Sequence, residues 1–245
     1  FTKNDCVVPS NKAEEELATW YRSILASCIY IYSWAHPEIG FAISKLSKFM
    51  QNPGAPHVTA LKRLLRYLAG SKDKGLVYSF GRTVPRQGVY GYYDASHADD
   101  HDTLRTTMSY IFFHEGCTIS WHTKMHTFIT TSTNHSEYCA AAKCAREAKS
   151  LKTIFASLGF ERKTPIVLFS DSQGAIAMNY NPVKRSASKH VDLADHYARE
   201  QVERGVVAIS YVSTKMMIAD VLTKALGKTD FNRLTQSMVG STALR

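Results

Sequence analysis

The hydrophobic period changes near residue 75, and this change constrains the fold more than any single motif. Up to Gly70 the apolar residues recur at helical spacing; beyond Gly75 they alternate or run together as in strands. Residues 14–35 read as a helix opening on Glu14, Glu15 and Glu16, acids that the positive end of a helix dipole favours. Pro37 starts a second helix over 37–50, with Ile39, Ala42, Ile43 and Leu46 at helical spacing. The turn Asn52-Pro53-Gly54 leads into a third, over 56–69. Its Leu61, Leu64, Leu65 and Leu68 face a core, and Lys62, Arg63 and Arg66 face away from it.

After residue 75, strands are expected over 76–80, 89–94, 109–114 and 118–122, with Glu115-Gly116 as a hairpin turn and a short β-branched stretch at 127–131. A long helix is expected over 134–158, with Leu151, Ile154, Phe155 and Leu158 as its apolar stripe and Gly159 as its stop. The continuous apolar run at 165–170 reads as a strand buried on both faces. Helices over 172–178 and 188–204, a strand over 206–212 and a final helix over 216–226 complete the pattern. Strands first, then helix alternating with strand, predict an α/β chain: a mixed sheet with helices on its faces, preceded by a small helical segment.

Charge follows the same division. Lys plus Arg total 30 and Asp plus Glu 21, a net +9 that favours a polyanionic partner, nucleic acid before a membrane surface. Residues 41–75 hold seven bases against one acid, whereas 76–181 hold ten bases and nine acids. The exposed face of Lys62, Arg63 and Arg66 is therefore a candidate nucleic-acid contact, against the plainer reading of a solvated helix face. With 44% apolar and 21% charged residues the chain is not of disordered composition, and no apolar run approaches the roughly 18 residues of a membrane span. No membrane partner is expected. Five cysteines, an odd number without a Cys-x-x-Cys pair, argue against a disulfide framework and fit a reducing compartment better. The chain starts at Phe1 and is expected to be a piece of a longer protein.

Four carboxylates stand in telling places. Asp94 ends the strand at 89–94, Glu137 opens the long helix, Asp171 follows the buried strand, and Asp220 lies early in the last helix among Ile218, Ala219, Val221 and Leu222. Singly, each has an ordinary explanation as a cap, a dipole-satisfying acid or a surface group. Acids beside buried strands need a partner, however, and no base lies close in sequence to Asp171. A hard divalent cation such as Mg²⁺ is the natural one, and two-metal phosphoryl chemistry needs several converging carboxylates.

That order of acids resembles ribonuclease H, and the chain more closely resembles the C-terminal part of copia-type LTR retrotransposon polyproteins. The matching stretches are Tyr21-Arg22-Ser23-Ile24-Leu25, His36-Pro37-Glu38-Ile39-Gly40-Phe41-Ala42 and Leu64-Leu65-Arg66-Tyr67-Leu68-Ala69-Gly70. Further on they are Tyr93-Asp94-Ala95, Ile119-Ser120-Trp121, Thr131-Ser132-Thr133-Asn134-His135-Ser136-Glu137-Tyr138, Ser188-Lys189-His190-Val191-Asp192 and Ile218-Ala219-Asp220-Val221-Leu222-Thr223-Lys224-Ala225-Leu226.

The resemblance implies a ribonuclease H-like five-stranded mixed sheet over 86–226. A reverse transcriptase tail over 1–75, a linker at 76–85 and a C-terminal helix and tail at 227–245 would surround it. It implies cleavage of the RNA strand of RNA–DNA hybrids with two Mg²⁺ ions, for which Mn²⁺ is expected to substitute, and the remainder of the reverse transcriptase as a partner. An intracellular setting follows, a cytoplasmic particle or the nucleus. Asp94 would bridge both ions, Asp220 would complete the site of the water-activating ion, and Glu137 and Asp171 would hold the ion at the leaving oxygen. Gln173, two residues after Asp171, would reach the minor groove. Arg185, Lys189 and His190 lie in a basic stretch suited to phosphate. His97 and Ser109 depart from the family pattern, which has Trp and Gly there, and residues 211–219 lack the loop His of many ribonucleases H.

Three alternatives carry less. Cys117, His122, His126 and Cys139 are conceivable zinc ligands, but their spacing fits no common finger. A catalytically silent nucleic-acid-binding or interaction module would keep the same fold. An integrase-like enzyme would place its Glu last, whereas here Glu137 comes second.

Overall fold

A computed structural model describes residues 2–6, 11–78, 86–160, 163–181 and 196–241. The helical segment comprises α1 (Lys12–Trp34), a 3-10 turn (Pro37–Ile39), α2 (Gly40–Ser47) and α3 (Ala55–Gly70). Asn11 caps α1 through its side chain, which accepts from the Glu14 amide at 3.1 Å. Ala18, Tyr21, Leu25 and Cys28 recur on the buried face of α1, and the last three pack against Ile39, Ile43, Leu46, Leu61 and Leu64. The expected helix over 37–50 begins as the 3-10 turn and continues as a regular helix only to Ser47.

The sheet has strands β1 (Val89–Ser96), β2 (Thr107–His114), β3 (Cys117–Met125), β4 (Ile166–Ser170) and β5 (Val207–Tyr211). Their spatial order is β3-β2-β1-β4-β5. β2 runs antiparallel to β1 and β3, and β4 runs parallel to β1 and β5. Glu115 (φ 48°) and Gly116 (φ 75°) both have positive φ and close the β2–β3 hairpin. Between and after these strands come α4 (Thr133–Ser157), α5 (Gln173–Tyr180), α6 (Tyr197–Glu203), α7 (Asp220–Thr223) and α8 (Lys228–Thr235). This five-stranded mixed sheet with flanking helices is the ribonuclease H-like arrangement.

Successive residues of β1 face opposite ways. Tyr93 and Ala95 join a core with α4, whose Cys139, Ala140, Ala141, Cys144, Ala145 and Ala148 are small enough to seat the helix close against the sheet. Tyr92 joins a second core with Phe169, Met217, Ile218, Val221, Leu222 and Leu234. The helical segment adjoins this second face: Trp121 Nε1 donates to the Tyr32 carbonyl at 3.0 Å, and Gly40 lies against Leu222 and Thr123.

Several expectations are corrected. Residues 76–78 form no strand, and residues 79–80 lie outside the described set; instead Lys74–Gly75 pairs with Gly240–Ser241. Residues 127–131 are irregular, with Thr130 engaged in side-chain hydrogen bonds. The final helix over 216–226 shrinks to the four residues of α7: Met216 ends a 3-10 turn, and Lys224 is already in extended backbone. On α4 the expected stripe fails at its end: Ile154 and Leu158 are exposed, and the small residues one to three turns earlier carry the packing.

Candidate active site

Parallel pairing of β1 with β4 sets Tyr92 opposite Phe169, so two residues further on Asp94, still within β1 because that strand runs to Ser96 rather than ending at 94, comes beside Asp171, which lies just past the end of β4. This is the carboxyl end of the parallel strands, where α/β sheets place their ligands. Ser132 caps α4 by accepting from the His135 amide at 3.2 Å. The helix therefore starts at Thr133, and Glu137 lies beyond its first turn rather than within it. Glu137 reaches the same point from that position, where its Oε1 accepts from the Ala95 amide at 3.3 Å. Asp94, Glu137 and Asp171 each offer a carboxylate oxygen within 4.8 Å of the others, the single such cluster of His, Cys, Asp or Glu among the described residues.

Asp220 joins from α7 through a base that sequence spacing did not single out. Lys224 Nζ lies 2.7 Å from Asp220 Oδ1 and 3.2 Å from Asp94 Oδ1. The Thr223 hydroxyl donates to Asp94 Oδ2, and the Thr214 hydroxyl donates to Asp171 Oδ2 at 2.8 Å. Lys224 was detectable only as the i+4 partner of Asp220, a spacing ordinary on any exposed helix.

Burial, then the charges of Asp94 and Asp171, push the Glu137 carboxyl up to about 9. Burial, then Asp94, push Asp220 up to about 6. Burial works against the Lys224 ammonium, but Asp94 and Asp220 outweigh it and raise its pKa. Glu137 Oε2 is buried without a hydrogen-bond partner. An orphaned carboxylate oxygen amid all-oxygen donors fits a hard divalent cation, and the four acids suit Mg²⁺ or Mn²⁺ better than a softer metal.

The departing positions have partners of their own. His97 Nδ1 lies 2.8 Å from Ser136 Oγ and 3.1 Å from Thr130 Oγ1, in a hydroxyl cluster with Thr106 beside Glu137. Ser109, opposite Asp94 in the β1–β2 register, donates to the Ala219 carbonyl at 3.2 Å and so ties β2 to the residue before Asp220. Gln173 is exposed at the first position of α5, and Lys62, Arg63 and Arg66 are exposed on α3. Arg185, Lys189 and His190 lie outside the described residues. Cys117, His122, His126 and Cys139 are not brought together, which corrects the zinc alternative; His122 stacks on Tyr110 and Cys139 is buried on α4.

The five-stranded mixed sheet thus carries an acidic triad near the carboxyl ends of its neighbouring parallel strands β1 and β4. The chain is a close homologue of the Pol polyproteins of copia-type LTR retrotransposons. It is 35% identical over 224 residues to the retrovirus-related Pol polyprotein from transposon RE1 of Arabidopsis thaliana, covering 91% of this chain and 15% of that one. It is 34% identical over 220 residues to that from transposon TNT 1-94 of Nicotiana tabacum, covering 90% and 16%. Among solved structures it is similar to the N-terminal RNase H domain of rv2228c from Mycobacterium tuberculosis, with TM-score 0.39, 14% identity and coverage of 62% of this chain and 99% of that one. No family model matches the chain. It thus spans about 15% of the length of the Pol polyproteins it matches. No helix of the described residues is long and apolar enough to cross a membrane.

Proposed function

We propose that the chain is a ribonuclease H, an endonuclease that hydrolyses the RNA strand of RNA–DNA hybrids during reverse transcription of a retroelement. The convergence of Asp94, Glu137 and Asp171 near the carboxyl ends of β1 and β4 carries this reading. Asp94, Glu137, Asp171 and Asp220 would hold two Mg²⁺ ions, with Mn²⁺ able to substitute. Such ions, when bound, polarise the scissile phosphate and lower the pKa of an attacking water.

The protein's own part is placement and proton control. The Thr223 and Thr214 hydroxyls orient Asp94 and Asp171. Burial, then Asp94 and Asp171, raise the Glu137 pKa to about 9 and favour its protonated form; bound cations would favour the carboxylate. Gln173, exposed at the first position of α5, would offer its amide to 2′-hydroxyls of the RNA strand. Lys62, Arg63 and Arg66, with Arg185 and Lys189, would contact phosphates. The homology supports reading residues 1–75 as the end of a reverse transcriptase, 86–226 as the ribonuclease H unit and the rest of that polymerase as its partner.

The test is cleavage of an end-labelled RNA–DNA hybrid in Mg²⁺ or Mn²⁺ by the parent chain, Asp94→Asn and Asp171→Asn. The parent should cut the RNA strand, and each variant should lose about 10²-fold or more, the scale of removing one preorganised charge contact. Cleavage that survives both substitutions rules out this site. A parent chain that binds hybrid without cutting it is a binding module instead.

A further inference from the structure

The Lys224 ammonium occupies the oxygens through which Asp94 and Asp220 would meet a cation. It approaches Asp220 Oδ1 at 2.7 Å and Asp94 Oδ1 at 3.2 Å, while the Asp94 and Asp220 side chains are only 1% and 7% exposed. Burying several carboxylates together is costly unless positive charge meets them. Lys224 follows α7 directly, in extended backbone, and its amide closes that turn on the Asp220 carbonyl at 2.9 Å. Its side chain is 36% exposed, so the stem has a path to solvent without unfolding the turn. The two halves of the site are therefore unequal. Glu137 keeps a buried oxygen with no hydrogen-bond partner, and Asp171 accepts from a neutral hydroxyl. Asp94 and Asp220 share an internal cation.

We infer that Lys224 is a built-in counter-ion that competes with one of the two divalent cations. The first cation binds on the Asp94–Glu137–Asp171 side, and the second binds between Asp94 and Asp220 only by displacing the ammonium. This rests on the two-ion reading above and adds an order and an inequality to it. The competition serves two ends. It holds Asp94 and Asp220 in place before cations arrive, and it makes the second cation the weaker one, so that its occupancy sets the cation dependence of cleavage. A lysine suits the role because a single flexible ammonium can leave, whereas a bidentate guanidinium would hold both carboxylates more firmly.

The experiment titrates MnCl₂ into the full chain by calorimetry and compares the parent with Lys224→Met, which keeps an apolar stem, and Lys224→Arg, which keeps the charge. Thermal melts in EDTA accompany each titration. The parent should show two unequal binding steps. Lys224→Met should tighten the weaker step about tenfold or more, leave the stronger one within twofold, and lower Tm in EDTA. Lys224→Arg should keep Tm in EDTA and weaken the second step. Two steps in the parent that Lys224→Met leaves unchanged, together with an unchanged Tm, would overturn the role of Lys224 and leave the metal reading standing. A parent chain that binds no Mn²⁺ would overturn the metal reading and this inference with it. Should Lys224→Met fail to fold, Lys224→Arg decides alone: a second step as tight as the parent's contradicts the competition.

Discussion

Glu137 makes the pH behaviour of the site predictable. Its pKa in the folded chain, about 9, lies above its ordinary 4.5 because burial, then Asp94 and Asp171, oppose ionisation. An acid raised in this way binds its proton more tightly when folded. As pH rises from about 4.5 to about 9, the unfolded chain releases a proton that the folded chain retains, and stability falls across that window. Asp220 adds a smaller fall between about 3.8 and 6. In EDTA, Tm should therefore drop between pH 5 and pH 9, and saturating Mg²⁺ should flatten the drop. Glu137→Gln, a permanent mimic of the neutral acid, should raise Tm at pH 8 in EDTA while cutting hybrid cleavage about 10²-fold or more. A parent profile already flat in EDTA would contradict the burial of this charge. Asp94 and Asp171 could be singled out in sequence because an acid beside a buried strand is conspicuous, and Glu137 and Asp220 because their order along the chain resembles a known family. Lys224, Thr223 and Thr214 could not, because a base or hydroxyl in a short segment is commonplace until its partner from another strand is known.

At the scale of elements, α7 is held from outside the sheet. A Cβ on Gly40 would lie 2.8 Å from Thr123 Oγ1, 2.9 Å from Tyr32 Cε2 and 3.1 Å from Leu222 Cδ2. Gly40 has helical backbone angles, φ −55° and ψ −41°, so helix propensity alone predicts that Ala would stabilise by about 1 kcal/mol. Overpacking predicts the opposite, a loss of about 1–3 kcal/mol. Chemical denaturation of Gly40→Ala decides between them, and we expect destabilisation with weaker Mn²⁺ binding, because Leu222 shares α7 with Asp220. The end of α4 offers the converse case. Ile154 and Leu158 are 53% and 65% exposed, so Ile154→Gln and Leu158→Gln should change stability by no more than about 0.5 kcal/mol. Losses of about 2 kcal/mol or more would mean that the stripe is buried after all.

Across the whole molecule, the charge excess splits into a structural and a free part. Lys45 pairs with Asp99, and Lys48 pairs with Asp100 and, at 2.6 Å, with Asp102. These two bases bind the helical segment to the loop after β1, so only part of the basic stretch at 41–75 faces solvent. Lys62, Arg63 and Arg66 remain exposed. Neutralising these three should weaken hybrid binding and reduce the slope of log K against log salt by roughly 2–3, at about 0.9 per phosphate contact. Neutralising Lys45 and Lys48 should lower Tm and leave the slope nearly unchanged. Anisotropy titrations from 50 to 200 mM salt measure both. Equal slope changes in the two variants would mean that the ion pairs open to nucleic acid.

The sequence by itself determined the helical segment, the strands from residue 89 onward, the order of the four acids and the kinship with retrotransposon polyproteins. Each depends on local period or on residue identity, which a single chain displays. Only the tertiary structure decided that residues 216–226 keep no more helix than the four residues of α7, that Lys45 and Lys48 are spent on internal pairs, and that Lys224 reaches Asp94 across 130 residues. Those outcomes depend on which faces meet and on the burial that follows. An apolar run buried on all sides carries no period to read, and a surface base shows nothing of the distant acid that will claim it.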